Sequence, residues 1–129
     1  PISAAETIDA VNDATMVVVM IETAEALSQV DMIAAVPGVD LLLIGTNDLC
    51  ASLGIAGQHD HMLVRDAYAR AMDACQKHRK HLGVGGLASA PHLVKKFVQL
   101  GARYVSTGSD LAFLLGAATS RANQVRDLV

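Results

Sequence analysis

Two carboxylates in this sequence stand where a parallel α/β protein places ligand-binding side chains. Glu22 ends the run Thr15–Glu22 (TMVVVMIE), and Asp48 ends a second apolar run, Asp40–Asp48 (DLLLIGTND). Apolar runs of this kind are typical of parallel strands buried on both faces, and ligands bind just past the carboxyl ends of such strands. We therefore expect Glu22 and Asp48 to share one rim of a sheet.

A pair of carboxylates on one rim suits a hard divalent cation. Mg²⁺ and Mn²⁺ prefer oxygen ligands, and Gly45 would allow the backbone to approach a ligand closely. A second interpretation needs no metal: Glu22 would begin the first turn of one helix and Asp48 would cap the next, and both placements are favourable by themselves. The spacing alone leaves both interpretations open.

The histidines are weaker candidates for chemistry. His59 and His61 lie two residues apart in a polar segment, where two nitrogen ligands would favour Zn²⁺, but no third ligand follows at zinc spacing. We expect a structural or solvated role for both. His78 and His81 fall at the end of a predicted helix, where positive charge complements the helix dipole, so we expect a solvated helix end there.

Composition limits the classes of protein to which the chain can belong. Hydrophobic residues make up 52% of the 129 residues and aromatic residues only 3%, which predicts one domain with an aliphatic core. The net charge of −3, without a basic stripe, argues against nucleic acid and anionic membranes as partners. No apolar run reaches the roughly 20 residues of a membrane span, and we expect no signal peptide. Cys50 and Cys75 lack metal-type spacing, which is typical of reduced thiols in a cytoplasmic protein.

The elements that must position the two carboxylates follow from hydrophobic periodicity and from Gly and Pro breaks. A capping box of Ser3 and Glu6 predicts a first helix, and four strands follow, each with a helix after it. The predicted strands are Thr15–Ile21, Asp40–Ile44, Lys80–Gly86 and Arg103–Thr107. The predicted helices after them are Thr23–Val36, a short helix near Leu49–Leu53 with the long Met62–His78, then Pro91–Leu100 and Asp110–Leu128. Helical periodicity assigns six residues to the inner face of Met62–His78: Val64, Ala67, Tyr68, Ala71, Met72 and Cys75.

This order predicts half of a (β/α)₈ barrel, because a whole barrel needs about 250 residues. An open four-stranded sheet would expose two edges and much of its inner face. We expect residues 1–129 to form a single partial barrel domain that something outside these residues covers. We also expect Val17, Val19 and Leu42 to lie on the inner face of the sheet, and the apolar last helix to offer a second surface for assembly.

Three separated motifs carry a resemblance to a known family. They are IETAEAL (Ile21–Leu27), PGVDLLLIGTNDL (Pro37–Leu49) and LGIAGQHDH (Leu53–His61), and GARYVSTGSDLAFLL (Gly101–Leu115) continues the match. With these motifs the chain resembles the HpcH/HpaI aldolases, which are metal-dependent class II pyruvate aldolases on a (β/α)₈ barrel. Because the match covers only the second half of a family member, the resemblance implies the C-terminal half of that barrel.

The resemblance implies a lyase that cleaves or forms 4-hydroxy-2-oxo acids through a metal-stabilised pyruvate enolate. Its partners would be pyruvate and an aldehyde, and it would form a homo-oligomer or be completed by an N-terminal half. Glu22 and Asp48 fall on the family's metal positions, for Mg²⁺ or Mn²⁺, with Co²⁺ also compatible. The family's acid/base His and Arg belong to the first half of the barrel, so we expect no catalytic residue in this chain.

The substrate-binding positions implied by the resemblance lie beside the predicted metal site. The backbone of Gly45, Thr46 and Asn47 falls where the family receives the substrate carboxylate, although a plain helix cap is an alternative for Asn47. Leu87 would line the mouth of the barrel as pocket wall. Two positions depart from the common family pattern, since Met20 replaces a frequent Gln and Thr46 replaces a frequent Pro. Both departures bear on the substrate range.

Two other functions stay open at this point. The motif IGTNDL also resembles the phosphoenolpyruvate-utilising enzymes, although the chain has no phosphohistidine-type segment and no Arg pair for a phosphate. A half-barrel could instead be a non-catalytic binding or assembly module, or a truncated product. Proton exchange at the C3 carbon of pyruvate would separate an enzyme from a module that only chelates.

Overall fold

The computed structural model describes residues 2–128, and these residues form one sheet of four parallel strands. The strands are β1 (Val18–Ile21), β2 (Leu41–Gly45), β3 (His81–Gly85) and β4 (Tyr104–Val105). They lie in chain order, so β1 and β4 form the edges, as the sequence predicts. Ile21 pairs with Ile44 and Ile44 with Val84, which brings the carboxyl ends of β1, β2 and β3 to the same side.

The helices within residues 2–128 lie between and around these strands. They are α1 (Ala4–Ala14), α2 (Ala24–Ser28), α3 (Val30–Ala34), α4 (Thr46–Ser52), α5 (Met62–Lys77), α6 (Pro91–Leu100) and α7 (Asp110–Arg126). The predicted capping box is confirmed, since the Glu6 amide donates to Ser3 Oγ and the Ser3 amide donates to the Glu6 carboxylate. The order of the helices and strands also confirms the prediction of one helix followed by four βα units.

One predicted helix is divided in two. The segment predicted as a single helix over Thr23–Val36 contains α2 and α3, which meet at Gln29 (φ −103°, ψ 11°). Just before the break, the Ser28 hydroxyl donates to the Glu25 carbonyl at 2.6 Å. A side-chain hydroxyl that takes a backbone acceptor competes with the helical bond to it, and this weakens the helix at that turn.

The core lies between one face of the sheet and the helices. On the strands it includes Ile21, Leu42, Ile44, Leu82 and Val84. The predicted inner face of α5 is confirmed, because all six side chains assigned to it are buried: Val64, Ala67, Tyr68, Ala71, Met72 and Cys75. Both cysteines are free and buried, and burial raises the pKa of Cys75 to about 11. Within residues 2–128 no helix combines the length and the apolar character that crossing a bilayer requires.

The prediction that Leu42 and Val19 lie on the open inner face is wrong. Leu42 is fully buried in the helix-covered core, and Val19 packs against that core. Alternate side chains of a strand point to opposite faces, so the two share the helix side with their strand neighbours Ile21 and Ile44. The predicted third member, Val17, lies just before β1 and is 44% exposed.

The opposite face of the sheet is partly open. Met20, Leu43, Gly83 and Tyr104 form one row across the four strands, and Met20 is 49% exposed. Neither α1 nor α7 contains a buried residue. These exposed surfaces are those that a complete barrel or a partner would cover, and such a cover stays a prediction.

Candidate metal centre

Glu22 lies directly after β1, and its side chain crosses the end of β2. A Cβ atom placed on Gly45 would stand 2.7 Å from Glu22 Cγ and 2.8 Å from Glu22 Oε1. The strand pairing explains this contact, because Ile21 lies opposite Ile44 and the next residues, Glu22 and Gly45, then come side by side. Glu22 is half-buried there. A side chain at position 45 would force this carboxylate to move from its present place.

Asp48 lies in the first turn of α4, which begins directly after β2. The cap position of α4 is Gly45, and no side chain bonds to the first amides of the helix. Asp48 therefore does not cap α4, and Asn47 does not either. The helix after β1 is capped by Thr23, whose hydroxyl accepts from the Ala26 amide at 3.0 Å. The structure thus differs from both details of the metal-free interpretation, although Asp48 in the first turn of α4 complements the helix dipole without a metal.

The two carboxylates carry charge that the rest of the described chain does not neutralise. Neither Glu22 nor Asp48 has a hydrogen bond or ion pair to another side chain within residues 2–128, whereas the described ion pairs use Asp31, Asp60 and Asp66. Residues 2–128 also bring together no group of three or more His, Cys, Asp or Glu side chains. Mg²⁺ is typically held by one or two carboxylates, with water and substrate oxygens completing its shell. Two unpaired carboxylates therefore fit a Mg²⁺-type ion, and they do not form a zinc site.

A hydrogen bond links the segments that carry the two carboxylates. The amide of Ala24, at the start of α2, donates to Ser52 Oγ at the end of α4, at 3.0 Å. This bond ties the turn after Glu22 to the end of the helix that carries Asp48.

The predicted substrate-binding residues occupy two different places. Gly45, Thr46 and Asn47 lie at the start of α4, where the first helical amides have no acceptor inside the helix. Asn47 also contacts the loop after β3, since a Cβ on Gly86 would stand 3.1 Å from Asn47 Nδ2. Leu87 lies with Ser106 and Thr107 around a recess of about 170 Å³ at the ends of β3 and β4. The Leu87 side chain is almost fully buried, so it forms the floor of this recess.

Thr46 has a role that the sequence did not indicate. Its side chain is fully buried, and its hydroxyl donates to the Gly85 carbonyl at 2.7 Å and bonds to the Tyr68 hydroxyl at 2.9 Å. The sequence identified Tyr68 only as an apolar residue of the α5 inner face. A buried tyrosine hydroxyl usually has a hydrogen-bond partner. This rule is the signal that could have indicated a polar contact, although it does not identify Thr46.

Two histidines, His61 and His78, make hydrogen bonds that support the fold. His61 caps α5, because its Nδ1 accepts from the Leu63 amide at 3.2 Å, so the structural role predicted for it is confirmed. His78 follows the last residue of α5, and the predicted solvated helix end is confirmed, since the side chains of Lys77 and Asp31 there are 63% and 53% exposed. His78 Nε2 lies 3.1 Å from Asp31 Oδ1, and Lys77 Nζ donates to the same carboxylate at 2.9 Å. The hydrogen bonds from Lys77 and then His78 hold the pKa of Asp31 below its usual value.

Replacing Gly45 by alanine is expected to weaken divalent-cation binding tenfold or more, by about the amount typical of displaced metal-site groups. The new Cβ would displace the Glu22 side chain, which can move without disturbing the core. Titration of Mn²⁺ into the intact protein measures the effect. Gly83→Ala is the matched control, because its Cβ would stand 2.9 Å from a Leu43 methyl carbon and away from Glu22. Equal losses of affinity in both variants would contradict the role given to Gly45.

Comparisons with known proteins show one consistent family. The sequence matches the family model described as HpcH/HpaI aldolase/citrate lyase over residues 3–117. It is 42% identical over 106 residues to the 4-hydroxy-4-methyl-2-oxoglutarate aldolase tasA of Hapsidospora irregularis, with 81% of this chain and 39% of that protein covered. It is 37% identical over 111 residues to the 4-hydroxy-2-oxo-heptane-1,7-dioate aldolase of Escherichia coli, with 86% of this chain and 42% of that protein covered.

The fold comparison agrees with the sequence comparison. The structure is similar to a crystal structure of a HpcH/HpaI aldolase/citrate lyase family protein from Burkholderia cenocepacia, with a TM-score of 0.78 and 30% identity. That alignment covers 94% of this chain and 46% of the solved chain. The chain thus spans about two fifths of the length of the curated relatives and about half of the solved structure.

Proposed function

Since the chain belongs to the HpcH/HpaI aldolase/citrate lyase family, we propose that it supplies the metal- and pyruvate-binding half of an aldolase. The reaction is the reversible cleavage of a 4-hydroxy-2-oxo acid to pyruvate and an aldehyde. The four parallel βα units of this chain form about half of the family's (β/α)₈ barrel. The ends of the strands of such a barrel are where the family fold holds its ligands.

One observation carries this proposal. The Glu22 side chain crosses Gly45 at the end of β2, and Asp48 lies in the helix that starts there. Both carboxylates lack a cationic partner within the described residues. Glu22 and Asp48 would hold a Mg²⁺ or Mn²⁺ ion, which would supply Lewis-acid stabilisation of the charge on the keto oxygen of a 2-oxo acid.

The residues of this chain bind and orient, and we assign proton transfer elsewhere. The amides at the start of α4, at Thr46 and Asn47, can donate hydrogen bonds to the carboxylate of a 2-oxo acid, because the first amides of a helix have no acceptor inside it. His61 caps α5 and His81 opens β3 at the opposite end of the sheet. Because the chain resembles the second half of the family's barrel, we assign the acid/base His and Arg to the first half, as the family resemblance implies.

Residues 1–129 alone are expected to show no aldolase turnover and no proton exchange at the C3 carbon of pyruvate. Addition of the four N-terminal βα units of a homologue is expected to restore both, because that half supplies the acid/base groups. Loss of the C3 proton signal of pyruvate in deuterated buffer with Mg²⁺, followed by proton nuclear magnetic resonance, measures the exchange.

Two outcomes would contradict parts of this assignment. Full activity of residues 1–129 alone would show that the acid/base groups lie in this chain. A completed barrel that binds pyruvate with Mg²⁺ and never exchanges its protons would instead indicate a binding module. A Glu25→Ala variant, which removes an exposed glutamate near Glu22, serves as the control that should behave like the parent.

A further inference from the structure

A short chain of buried hydrogen bonds joins α5 to the ends of β2 and β3. Thr46 Oγ1 lies 2.7 Å from the Gly85 carbonyl oxygen and 2.9 Å from the Tyr68 hydroxyl. Both Thr46 and Tyr68 are fully buried. Thr46 is also the one buried side chain within residues 2–128 that is classed as polar or charged. A buried polar group is costly unless it is bonded, so these bonds hold Thr46 in one orientation.

The direction of each bond follows from the groups present. The Gly85 carbonyl can only accept, so the single hydroxyl proton of Thr46 goes to Gly85. Tyr68 must then donate its own proton to Thr46 Oγ1. Burial raises the pKa of the Tyr68 hydroxyl well above its usual value, and it keeps that proton at any ordinary pH. The chain therefore has a fixed order, from Tyr68 through Thr46 to Gly85.

Tyr68 is itself rigidly held. Its ring is stacked on Phe97 of α6, with ring centroids 3.5 Å apart and an angle of 9° between the planes. It has no surface exposed to solvent, so it cannot touch a substrate at the rim. Any effect of Tyr68 on the site must act through Thr46.

The two ends of the hydrogen-bond chain lie beside the candidate site. Thr46 is the first residue of α4, and Asp48 follows two residues later in the same turn. Gly85 precedes Gly86, where an added Cβ would stand 3.2 Å from the Asn47 amide nitrogen. The φ of +78° at Gly86 also suits glycine. The turn that carries Asp48 is thus held at its first residue by the hydrogen bonds of Thr46, and at Asn47 it lies close to Gly86.

We infer that Thr46 and Tyr68 are positioning residues that fix the turn Thr46–Asp48 and, through it, the Asp48 carboxylate. The link to metal binding rests on the function proposed above, and the link to the geometry of the turn does not. Apolar residues of the same shape would fill the same space in the core. Packing alone therefore does not require the hydroxyl groups of Thr46 and Tyr68, and their hydrogen bonds serve to orient the turn.

Removal of the Thr46 hydroxyl is the direct test, and it is made on the intact protein. In Thr46→Val the Gly85 carbonyl and the Tyr68 hydroxyl both lose their partner. Amide hydrogen exchange in residues 46–49 and 85–87 is expected to accelerate. The Mn²⁺-dependent affinity for oxalate, a pyruvate-like probe, is expected to fall about tenfold or more, as for other groups that orient metal ligands. Thr46→Ser, which keeps the hydroxyl, is expected to restore both values.

A double variant tests the fixed order of the bonds. Tyr68→Phe alone leaves Thr46 bonded to Gly85, so its effect on exchange is expected to be smaller than that of Thr46→Val. Thr46→Val leaves the Gly85 carbonyl and the Tyr68 hydroxyl without a partner. In the double variant the Tyr68 hydroxyl is absent, so only the Gly85 carbonyl lacks a partner. The two effects are therefore expected to be less than additive, as for groups in one network.

Val64→Ala separates positioning from general stability. Val64 lies on the same buried face of α5, and its replacement by alanine removes only packing. The melting temperature of this variant is expected to fall, while amide exchange in residues 46–49 and 85–87 and the affinity for oxalate stay near the parent values. Unchanged exchange at residues 46–49 in Thr46→Val would overturn the inference, and so would failure of Thr46→Ser to restore it. Accelerated exchange in Thr46→Val, in a protein whose parent never binds oxalate with Mn²⁺, would support the inference and overturn the proposed function.

Discussion

Replacing either Glu22 or Asp48 by alanine is expected to abolish metal-dependent binding of pyruvate or oxalate and to leave the fold nearly intact. Each change removes one of the two proposed carboxylate ligands, and residues 2–128 bring together no group of three or more His, Cys, Asp or Glu that could replace it. Neither side chain belongs to the hydrophobic core, so little packing is lost. Calorimetric titration of Mn²⁺ and then oxalate into the intact protein measures the effect.

Shape and charge can be separated in the same experiment. Glu22→Gln and Asp48→Asn keep the size of each side chain and remove its charge, so they are expected to lose the cation as well. Glu25→Ala is the matched control, because Glu25 is an exposed carboxylate three residues from Glu22. Unchanged Mn²⁺ affinity in both Glu22→Ala and Asp48→Ala would rule out the site.

Residues 1–129 by themselves are expected not to persist as a monomer in solution. The inner face of the sheet exposes Met20 and Tyr104, and α7 exposes Leu111, Phe113 and Leu114 by 70%, 59% and 68%. Burial of apolar surface is worth about 25 cal/mol per Å². A few hundred Å² left open therefore forgoes several kcal/mol, against a net stability of roughly 5–15 kcal/mol for a typical domain. We expect association with further copies, or with the half that completes the barrel.

Light scattering at micromolar concentration measures the mass of the particles that residues 1–129 form. A stable, non-aggregating 13.5 kDa monomer would refute the prediction. Leu114→Asp tests whether α7 contributes, and it is expected to shift the distribution toward smaller particles. Thr119→Asp places the same charge elsewhere on α7 and is expected to change the distribution less.

The sequence alone determined the order of the elements and the place of the candidate ligands along the chain. Apolar runs, Gly and Pro breaks and helical periodicity are local signals, and they predicted α6 with both of its bounds and the buried face of α5. The carboxylates Glu22 and Asp48 follow strand ends in the sequence itself. Their location at one side of a parallel sheet needed only the expectation that β1 and β2 are neighbours, which is confirmed.

Only the tertiary structure decided which face each strand residue takes and which polar groups meet. Leu42 and Leu43 look alike in the sequence, but the helices cover one side of the sheet and the register places Leu42 on that side. Thr46 meets partners 22 and 39 residues away in the chain, and His78 meets Asp31 over 47 residues. No local pattern encodes such contacts, because they depend on how α5 packs across the sheet after the strands have paired.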